Sequence, residues 1–277
     1  MGFAELGILP VLGNALAQDG ITEPTPIQVE AIPVLLEGKD ATVSSETGTG
    51  KTLAYLLPLF CRIDPAVRSL QMIVIVPTHE LAMQIHREAT QLAQRSGLGV
   101  RTQALIGGVS VKRQIQKLKE KPHLVVGSAG RIGELIGMGK LKAHTAQTIV
   151  IDEADRMLDM GFIPQVKRIV RACPRKESRQ TLLFSATFTQ DIINLSQQWT
   201  YEPVTVEIEP DSVATDTVDQ KIYMVSSEQR FRVLNNLVRS DDCSSVIVFA
   251  NRRDQVRRLH ERLRKAGVKC GVLSGEI

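Results

Sequence analysis

The sequence contains few cysteines, and none of them is placed to pair with another. Four cysteines are scattered over 277 residues, and no two of them form a C-x-x-C motif. This spacing indicates neither a zinc site nor a disulfide framework, so we expect reduced thiols. The four residues are Cys61, Cys173, Cys243 and Cys270.

The sequence also lacks a long apolar run. No stretch approaches the ~18 residues that a membrane-spanning helix needs. The first residues, MGFAEL, resemble neither a signal peptide nor a myristoylation signal. We therefore expect a soluble, intracellular protein with a cytoplasmic location and no membrane partner.

Charge is distributed unevenly along the chain. The net charge is +4, and the hydrophobic content of 43% is ordinary for a soluble globular protein. Residues 220–277 hold 12 Lys and Arg against 6 Asp and Glu, whereas residues 1–219 hold 22 against 24. The basic second segment suits a polyanionic partner, although such runs are also common on solvated helix faces.

Short apolar runs alternate with helix-like patterns in residues 1–208. Runs such as MIVIV are apolar on both faces, which is typical of a parallel sheet covered by helices. The alternation predicts a doubly wound α/β domain with helices on both faces. Strands are predicted at 41–44, 71–76, 101–105, 124–126, 148–151, 181–184 and 204–208, and helices at 52–60, 81–95, 111–119, 132–136, 164–172 and 190–199.

Residues 209–219, EPDSVATDTVD, are polar and acidic without periodicity, which predicts a linker. The alternation resumes in residues 220–277, with strands predicted at 221–225, 246–249 and 268–273 and helices at 228–238 and 254–266. This segment is short for an α/β domain of ~100–150 residues, so we expect an incomplete second domain.

The stretch SSETGTGKT, residues 44–52, follows a predicted strand and opens a predicted helix, which is the context of a phosphate-binding loop. Gly48 and Gly50 let backbone N–H groups converge on a phosphate. Lys51 can reach the β- and γ-phosphates, and the Thr52 hydroxyl can bind Mg²⁺. The general pattern for such loops is G-x-x-x-x-G-K-S/T, and this chain has Ser45 where the pattern has its first glycine. The alternative is a glycine-rich turn that only caps a helix.

An acidic tetrad, Asp152-Glu153-Ala154-Asp155, follows the predicted strand at 148–151. Asp152 is placed to hold Mg²⁺, and Glu153 to orient and deprotonate an attacking water. Lys51, Asp152 and Glu153 are therefore the candidate catalytic residues. The tetrad could instead complement the dipole of a helix N-terminus.

These motifs resemble those of the DEAD-box RNA helicases, a family named after the one-letter code of this tetrad, D-E-A-D. Residues 20–28, GITEPTPIQ, resemble the family's adenine-recognising Q motif, and the family's phosphate loop, A-x-T-G-x-G-K-T, also lacks the first glycine. The resemblance implies a RecA-like fold, a partial second RecA-like domain, and ATP and Mg²⁺ as cofactors. Phe3 would stack on adenine, unless it packs in the core. The implied nucleotide-binding residues are Phe3, Thr25, Gln28, Ser45, Thr47, Gly48, Thr49, Gly50, Lys51 and Thr52, with Thr52 and Asp152 as metal ligands, partly through water.

Three further stretches resemble family motifs that bind the RNA backbone: PTHELA, the doublet GG, and SAGR. Backbone contacts imply sequence-independent, salt-sensitive binding. His79 replaces the family's arginine, and Ser128 and Ala129 replace its threonine and proline, so we expect weaker RNA affinity over the same footprint. The implied RNA-binding residues are Pro77, Thr78, His79, Gly107, Gly108, Ser128, Gly130 and Arg131.

Ser185-Ala186-Thr187 resembles the family's S-A-T motif, which is thought to link hydrolysis to strand separation. Ser185 and Thr187 could hydrogen-bond the region of Asp155 and sense the γ-phosphate. Residues 248–251, VFAN, resemble the start of the family's motif IV.

The family's later motifs, which carry its arginine fingers, are not in the sequence. We therefore expect ATP and RNA binding with little RNA-stimulated turnover, because such a finger contributes roughly 10³–10⁵ in rate in related systems. The first hypothesis is an ATP-dependent RNA helicase, with protein cofactors unknown. The alternatives are a non-catalytic ATP- or RNA-binding clamp, and a phosphate-loop enzyme acting on DNA or small molecules.

Overall fold

The computed structural model describes residues 2–44, 46, 48–208, 219–240 and 243–273. The chain divides into two compact units, Met1–Val213 and Ala214–Ile277. The boundary falls inside the predicted linker, of which residues 209–218 lie outside the described residues.

The first unit is built on seven strands in a single sheet. The strands are β1 (Ala41–Ser44), β2 (Met72–Val76), β3 (Thr102–Leu105), β4 (Leu124–Ser128), β5 (Thr148–Ile151), β6 (Gln180–Ser185) and β7 (Val204–Glu207). Their order is β3-β4-β2-β5-β6-β1-β7, and every pairing between these strands is parallel. The doubly wound α/β prediction is confirmed.

Helices connect the strands and cover the sheet. They are α1 (Pro10–Ala17), α2 (Pro26–Leu36), α3 (Lys51–Arg62), α4 (His79–Ser96), α5 (Val111–Leu118), α6 (Ala129–Gly137), α7 (Ala154–Asp159), α8 (Ile163–Ala172) and α9 (Gln190–Trp199), with 3₁₀ turns at Ala143–Thr145 and Lys176–Ser178. Helices α1 and α2 precede the first helix that the pattern predicts.

Two hydrophobic cores lie on the two faces of the sheet. Side chains of a strand alternate between faces, so Val74 joins one core while its neighbours Ile73 and Ile75 join the other. All five residues of β2 are buried. This double burial explains why the central strands are uniformly apolar rather than alternating.

The second unit contains two described helices, α10 (Arg230–Val238) and α11 (Arg253–Lys265). The helix predictions at 228–238 and 254–266 are confirmed, but those for strands at 221–225, 246–249 and 268–273 are wrong within residues 219–240 and 243–273. Ile222, Phe249 and Leu273 in these segments are exposed. An apolar run becomes a strand only where a neighbour completes its ladder of hydrogen bonds, and no such ladder forms there. That this unit is a partial RecA-like domain stays a prediction.

None of the described helices is both long enough and apolar enough to cross a membrane.

Candidate nucleotide and RNA site

The predicted site residues lie along one edge of the sheet, where the parallel strands end. The phosphate loop follows β1, the acidic tetrad follows β5, and Ser185 ends β6. Since β5, β6 and β1 are neighbours, their carboxyl ends bring the three motifs together. The edge outside the carboxyl ends of parallel strands is where open α/β sheets bind ligands.

Gly50 shows why the phosphate loop needs glycine. It precedes helix α3 with φ at +95°, and an added Cβ would lie 2.5 Å from Nε2 of Gln28. Gly48 is also left-handed, at φ +87°. Backbone N–H groups of the first helical turn are therefore accessible to a phosphate. The predicted ligands Ser45 and Thr47 lie outside the described residues, and the Thr49 hydroxyl donates to the carbonyl of Glu46 at 2.9 Å.

Gln28 joins the Q motif to the phosphate loop. Its Oε1 accepts from the backbone N–H of Thr25 at 3.1 Å, and its Nε2 donates to the carbonyl of Gly50 at 2.9 Å. The side chain is only 2% exposed. Each end of the amide thus already has one partner within the protein. Adenine recognition by Gln28 and Thr25 stays a prediction.

The structure does not place Phe3 in the cavity beside the phosphate loop. Phe3 is 4% exposed and belongs to the hydrophobic core that covers one face of the sheet. Core packing was the alternative to adenine stacking in the prediction from sequence. Stacking on a base would require the ring to leave that packing, so the stacking role stays a prediction.

Asp152 lies at the centre of the site, at the end of β5. Its Oδ1 accepts from the N–H of Glu153 at 2.9 Å, and its Oδ2 accepts from the hydroxyl of Tyr55 at 3.0 Å. Burial raises the pKa of Asp152 to about 6, against the lowering effects of the Lys51 charge and of both hydrogen bonds. Lys51 is itself buried. The pair places an ammonium and a carboxylate beside the glycine loop.

Tyr55 is the site residue that the sequence analysis missed. Its fully buried ring meets the edge of Phe184 at 5.1 Å, and burial and the Asp152 charge raise its pKa well above the ordinary value. The phenol therefore stays a hydrogen-bond donor. Through its hydroxyl it contacts one of the two predicted metal ligands, Asp152. The only signal was its place three residues after Thr52 on the same helix face.

Glu153 has a backbone conformation that non-glycine residues rarely adopt, with φ and ψ both at 52°. Such strain is characteristic of functional sites. Its Oε2 accepts from Nη1 of Arg156 at 3.2 Å. A cavity of about 620 Å³ is lined by Glu153, Asp152, Lys51 and Gly50, among others. The carboxylate of Glu153 thus borders space that a phosphate chain and a water could occupy.

The residues fit ATP with Mg²⁺ by the chemistry of their donors. No group of three or more His, Cys, Asp or Glu side chains among the described residues could hold a metal ion by itself. Mg²⁺ is usually bound by one or two carboxylates together with substrate phosphates. Asp152 and Thr52 beside a phosphate loop form that kind of incomplete set.

Asp155 connects the acidic tetrad to the S-A-T motif. Its Oδ2 accepts three hydrogen bonds, from the N–H of Ala186 at 3.1 Å and from the N–H and hydroxyl of Thr187 at 3.0 and 3.1 Å. The buried Ser185 hydroxyl donates to the carbonyl of Thr187 at 2.8 Å. Thr187 hydrogen-bonds Asp155 as expected, whereas the hydroxyl of Ser185 bonds Thr187 and not Asp155. The coupling role of the motif stays a prediction.

The predicted RNA-binding residues occupy the other half of the same edge. They follow β2, β3 and β4, which are neighbours in the sheet. His79 Nε2 accepts from the N–H of Gly107 at 3.2 Å, so the first two motifs touch. The Thr78 hydroxyl caps α4 by accepting from the N–H of Leu81 at 3.2 Å.

Arg131 belongs to the third RNA motif and is held by contacts on both sides. Its Nη1 donates to the carbonyl of Val109 at 3.0 Å, and its Nε donates to Oε2 of Glu134 at 2.8 Å. Ser128 ends β4 and α6 begins at Ala129, while Gly108 and Gly130 are exposed. Whether these residues and the buried Pro77 contact RNA stays a prediction.

Comparison with known proteins supports the resemblance to DEAD-box helicases. The DEAD/DEAH box helicase family profile matches residues 25–195. The chain is 41% identical over 283 residues to ATP-dependent RNA helicase RhlB of Pseudomonas aeruginosa (strain UCBPP-PA14), covering 99% of this chain and 71% of that protein. It is 37% identical over 277 residues to ATP-dependent RNA helicase CshA of Limosilactobacillus reuteri, covering 100% of this chain and 55% of that protein.

Two solved structures share the fold. S. cerevisiae Dbp5 bound to RNA and ADP BeF3 matches with a TM-score of 0.86 at 27% identity, covering 100% of this chain and 70% of that one. A DEAD box protein from Methanococcus jannaschii matches with a TM-score of 0.71 at 29% identity, covering 100% and 74%. With its tetrad, phosphate loop and S-A-T motif joined at one sheet edge, the chain belongs to the DEAD/DEAH box helicase family.

Proposed function

We propose that this chain is the ATP- and RNA-binding part of a cytoplasmic ATP-dependent RNA helicase, which uses hydrolysis to separate short duplexes or remodel RNA–protein complexes. RhlB and CshA are named as ATP-dependent RNA helicases, and the Dbp5 structure contains RNA and ADP BeF3. One observation supports the proposal best. The nucleotide motifs follow β5, β6 and β1, while the RNA motifs follow β3, β4 and β2 of the same sheet edge.

The nucleotide half would hold the triphosphate through the backbone around Gly48 and Gly50 and through the ammonium of Lys51. Asp152 and Thr52 would hold Mg²⁺, partly through water. When bound, the ion would neutralise charge on the β- and γ-phosphate oxygens. The buried Tyr55 hydroxyl would keep the Asp152 carboxylate in one orientation.

Glu153 would act as the general base in hydrolysis. A water oxygen bonds to the γ-phosphorus and its proton passes to the Glu153 carboxylate, while the bond from that phosphorus to the bridging oxygen breaks and ADP leaves with the electron pair. The contact with Arg156 at 3.2 Å is surface-exposed on the arginine side, so little free energy is needed to free the carboxylate.

The RNA half would contact sugars and phosphates without reading bases. Thr78 and Arg131 provide side-chain donors, and Gly107, Gly108 and Gly130 allow close backbone approach. Binding of this kind is sequence-independent and weakens with salt. Asp155 would transmit the state of the nucleotide half, because it hydrogen-bonds Ala186 and Thr187 directly.

The test measures ATP turnover with and without single-stranded RNA, together with Mg²⁺-dependent binding of a fluorescent ATP analogue. The parent chain should bind the analogue, and Glu153→Gln should keep that binding while losing any turnover. Turnover that is unchanged in Glu153→Gln would contradict the assigned base. Binding of both ligands without turnover in the parent would instead favour a non-catalytic clamp.

A further inference from the structure

The opposite edge of the first unit carries a strongly basic surface. Residues 167–179 contain six Lys and Arg against one acid, Glu177. They comprise the end of α8, the 3₁₀ turn Lys176–Ser178 and the residue before β6. The strands begin at this edge, whereas the nucleotide and RNA motifs follow the ends of strands. The six residues of β6 separate the two edges by about 17 Å at ~3.3 Å per residue.

A cavity of about 820 Å³ lies within this surface, which we call the basic pocket. Its volume exceeds that of the cavity beside the phosphate loop, about 620 Å³. Its charged lining residues are Lys167, Arg171, Arg175, Lys176, Glu177 and Arg179. A concave surface that is lined by charges of one sign concentrates its electric field and attracts ions of the opposite charge.

Arg179 builds the floor of the basic pocket rather than serving as a free donor. Its Nη1 donates to the carbonyls of Val170 and Pro174, its Nη2 donates to the carbonyl of Trp199, and its Nε donates to the hydroxyl of Thr181. These bonds tie α8, α9 and β6 together. The guanidinium therefore contributes positive charge from a fixed position.

The other cations keep donors available for a ligand. Arg171 and Arg175 are exposed, and Lys176 makes only a long hydrogen bond, 3.4 Å, to the carbonyl of Gln197. In the part of the chain that the structure describes, none of these three or Lys167 has an acidic side chain within ion-pairing distance. Guanidinium and ammonium groups of this kind bind phosphate oxygens well.

The uncharged lining decides between two polyanions, RNA and an acidic protein segment. Trp199 and Val170 are buried, so neither offers an apolar anchor, and protein docking usually relies on such anchors. Contacts through charge alone are characteristic of a sugar–phosphate backbone. We propose that the basic pocket is a second RNA-binding surface. It holds the phosphates of an RNA segment that extends beyond the RNA site at the edge where the strands end. The proposal rests on the proposed RNA helicase function.

The test compares the parent chain with Arg171→Gln/Arg175→Gln/Lys176→Gln by fluorescence anisotropy, with single-stranded RNAs of about 10 and about 30 nucleotides. The shorter RNA can occupy only the predicted RNA site at the edge where the strands end. Its affinity for the variant should therefore equal its affinity for the parent chain. The longer RNA should bind roughly tenfold more weakly to the variant, and its salt slope should fall by about 2, since each lost phosphate contact contributes ~0.7.

A matched control removes the same charge elsewhere. Arg68→Gln/Lys117→Gln/Lys119→Gln neutralises three exposed cations away from the basic pocket and should leave both affinities unchanged. An equal loss in this control, or no loss for the longer RNA in the first variant, would overturn the proposal. So would a polyglutamate peptide that occupies the basic pocket while RNA does not compete. If the parent fails to bind the shorter RNA, the proposed function fails instead.

Discussion

The hydroxyl of Tyr55 donates a 3.0 Å hydrogen bond to Oδ2 of Asp152, the carboxylate oxygen that the backbone of Glu153 leaves unsatisfied. Tyr55 is fully buried and lies three residues after Thr52 on α3. A residue of the core thus reaches a side chain that is expected to hold Mg²⁺. Packing and metal-site geometry are therefore coupled through one phenol.

Replacing Tyr55 with Phe should uncouple them. The ring and its contact with Phe184 remain, but Oδ2 of Asp152 loses its partner, which should cost about 1.5–3 kcal/mol of unfolding free energy for a hydrogen bond to a charged group. Urea unfolding measures this loss. Affinity for ADP should fall several-fold in Mg²⁺ and stay unchanged in EDTA. Tyr201→Phe, at an exposed position, is the control, and equal losses with and without Mg²⁺ would contradict the positioning role.

Replacing Asp155 with Ala should loosen the S-A-T motif. Oδ2 of Asp155 accepts the N–H groups of both Ala186 and Thr187, so their amide hydrogens should exchange with solvent faster in the variant. Hydrogen exchange measured by mass spectrometry over residues 185–189 tests this. Asp159→Ala removes an exposed acid from the same helix and should leave these amides unchanged. Unchanged exchange in Asp155→Ala would show that the three hydrogen bonds do not hold the motif.

The central sheet could be predicted from sequence because its strands are buried on both faces. Uniform apolar runs such as β2 have few other interpretations when they recur between helical patterns. Helix α2 escaped prediction because Pro33 lies inside it, and proline usually ends a helix. Ile222 and Phe249 lie in runs that resemble strands, but a strand also depends on a neighbour that local sequence does not specify.

Site residues could be predicted where the ligand restricts the residue type. They could not be predicted where tertiary packing determines which residues come into contact. Gly50 and Asp152 follow from what a phosphate and a metal ion require, and the motif spacing exposed them. Tyr55 lies in an apolar helix and resembles an ordinary core aromatic, so its contact with Asp152 emerges only when β5 is placed beside α3. Phe3 shows the opposite case, since a plausible ligand contact is a core residue in this structure.

Replacing Gly50 with Ala should damage the phosphate loop directly. The residue has φ at +95°, and the new Cβ would lie 2.5 Å from Nε2 of Gln28, which bonds the same residue's carbonyl. We expect loss of measurable ATP-analogue binding and a destabilisation of about 1–3 kcal/mol from backbone strain. Gly13→Ala is the matched control because nothing lies within 4 Å of its Cβ position in α1. It should stabilise the chain by up to about 1 kcal/mol. Normal ATP-analogue binding by Gly50→Ala would contradict the role of this loop.

Replacing His79 with Arg should strengthen RNA binding. The ring of His79 accepts a hydrogen bond from the N–H of Gly107, and arginine has no acceptor to replace it. That N–H lies at the surface, where water can satisfy it, so the loss is small. The gain is a permanent cation beside the expected path of the RNA backbone. Anisotropy with a short single-stranded RNA should show several-fold tighter binding and a salt slope steeper by ~0.7, the value for one added phosphate contact.

The control variant His144→Arg places the same charge on an exposed residue before β5, at the opposite edge of the sheet, and should have no effect on the binding of a short RNA. Equal tightening in both variants would show that net charge, rather than a contact at position 79, controls the affinity.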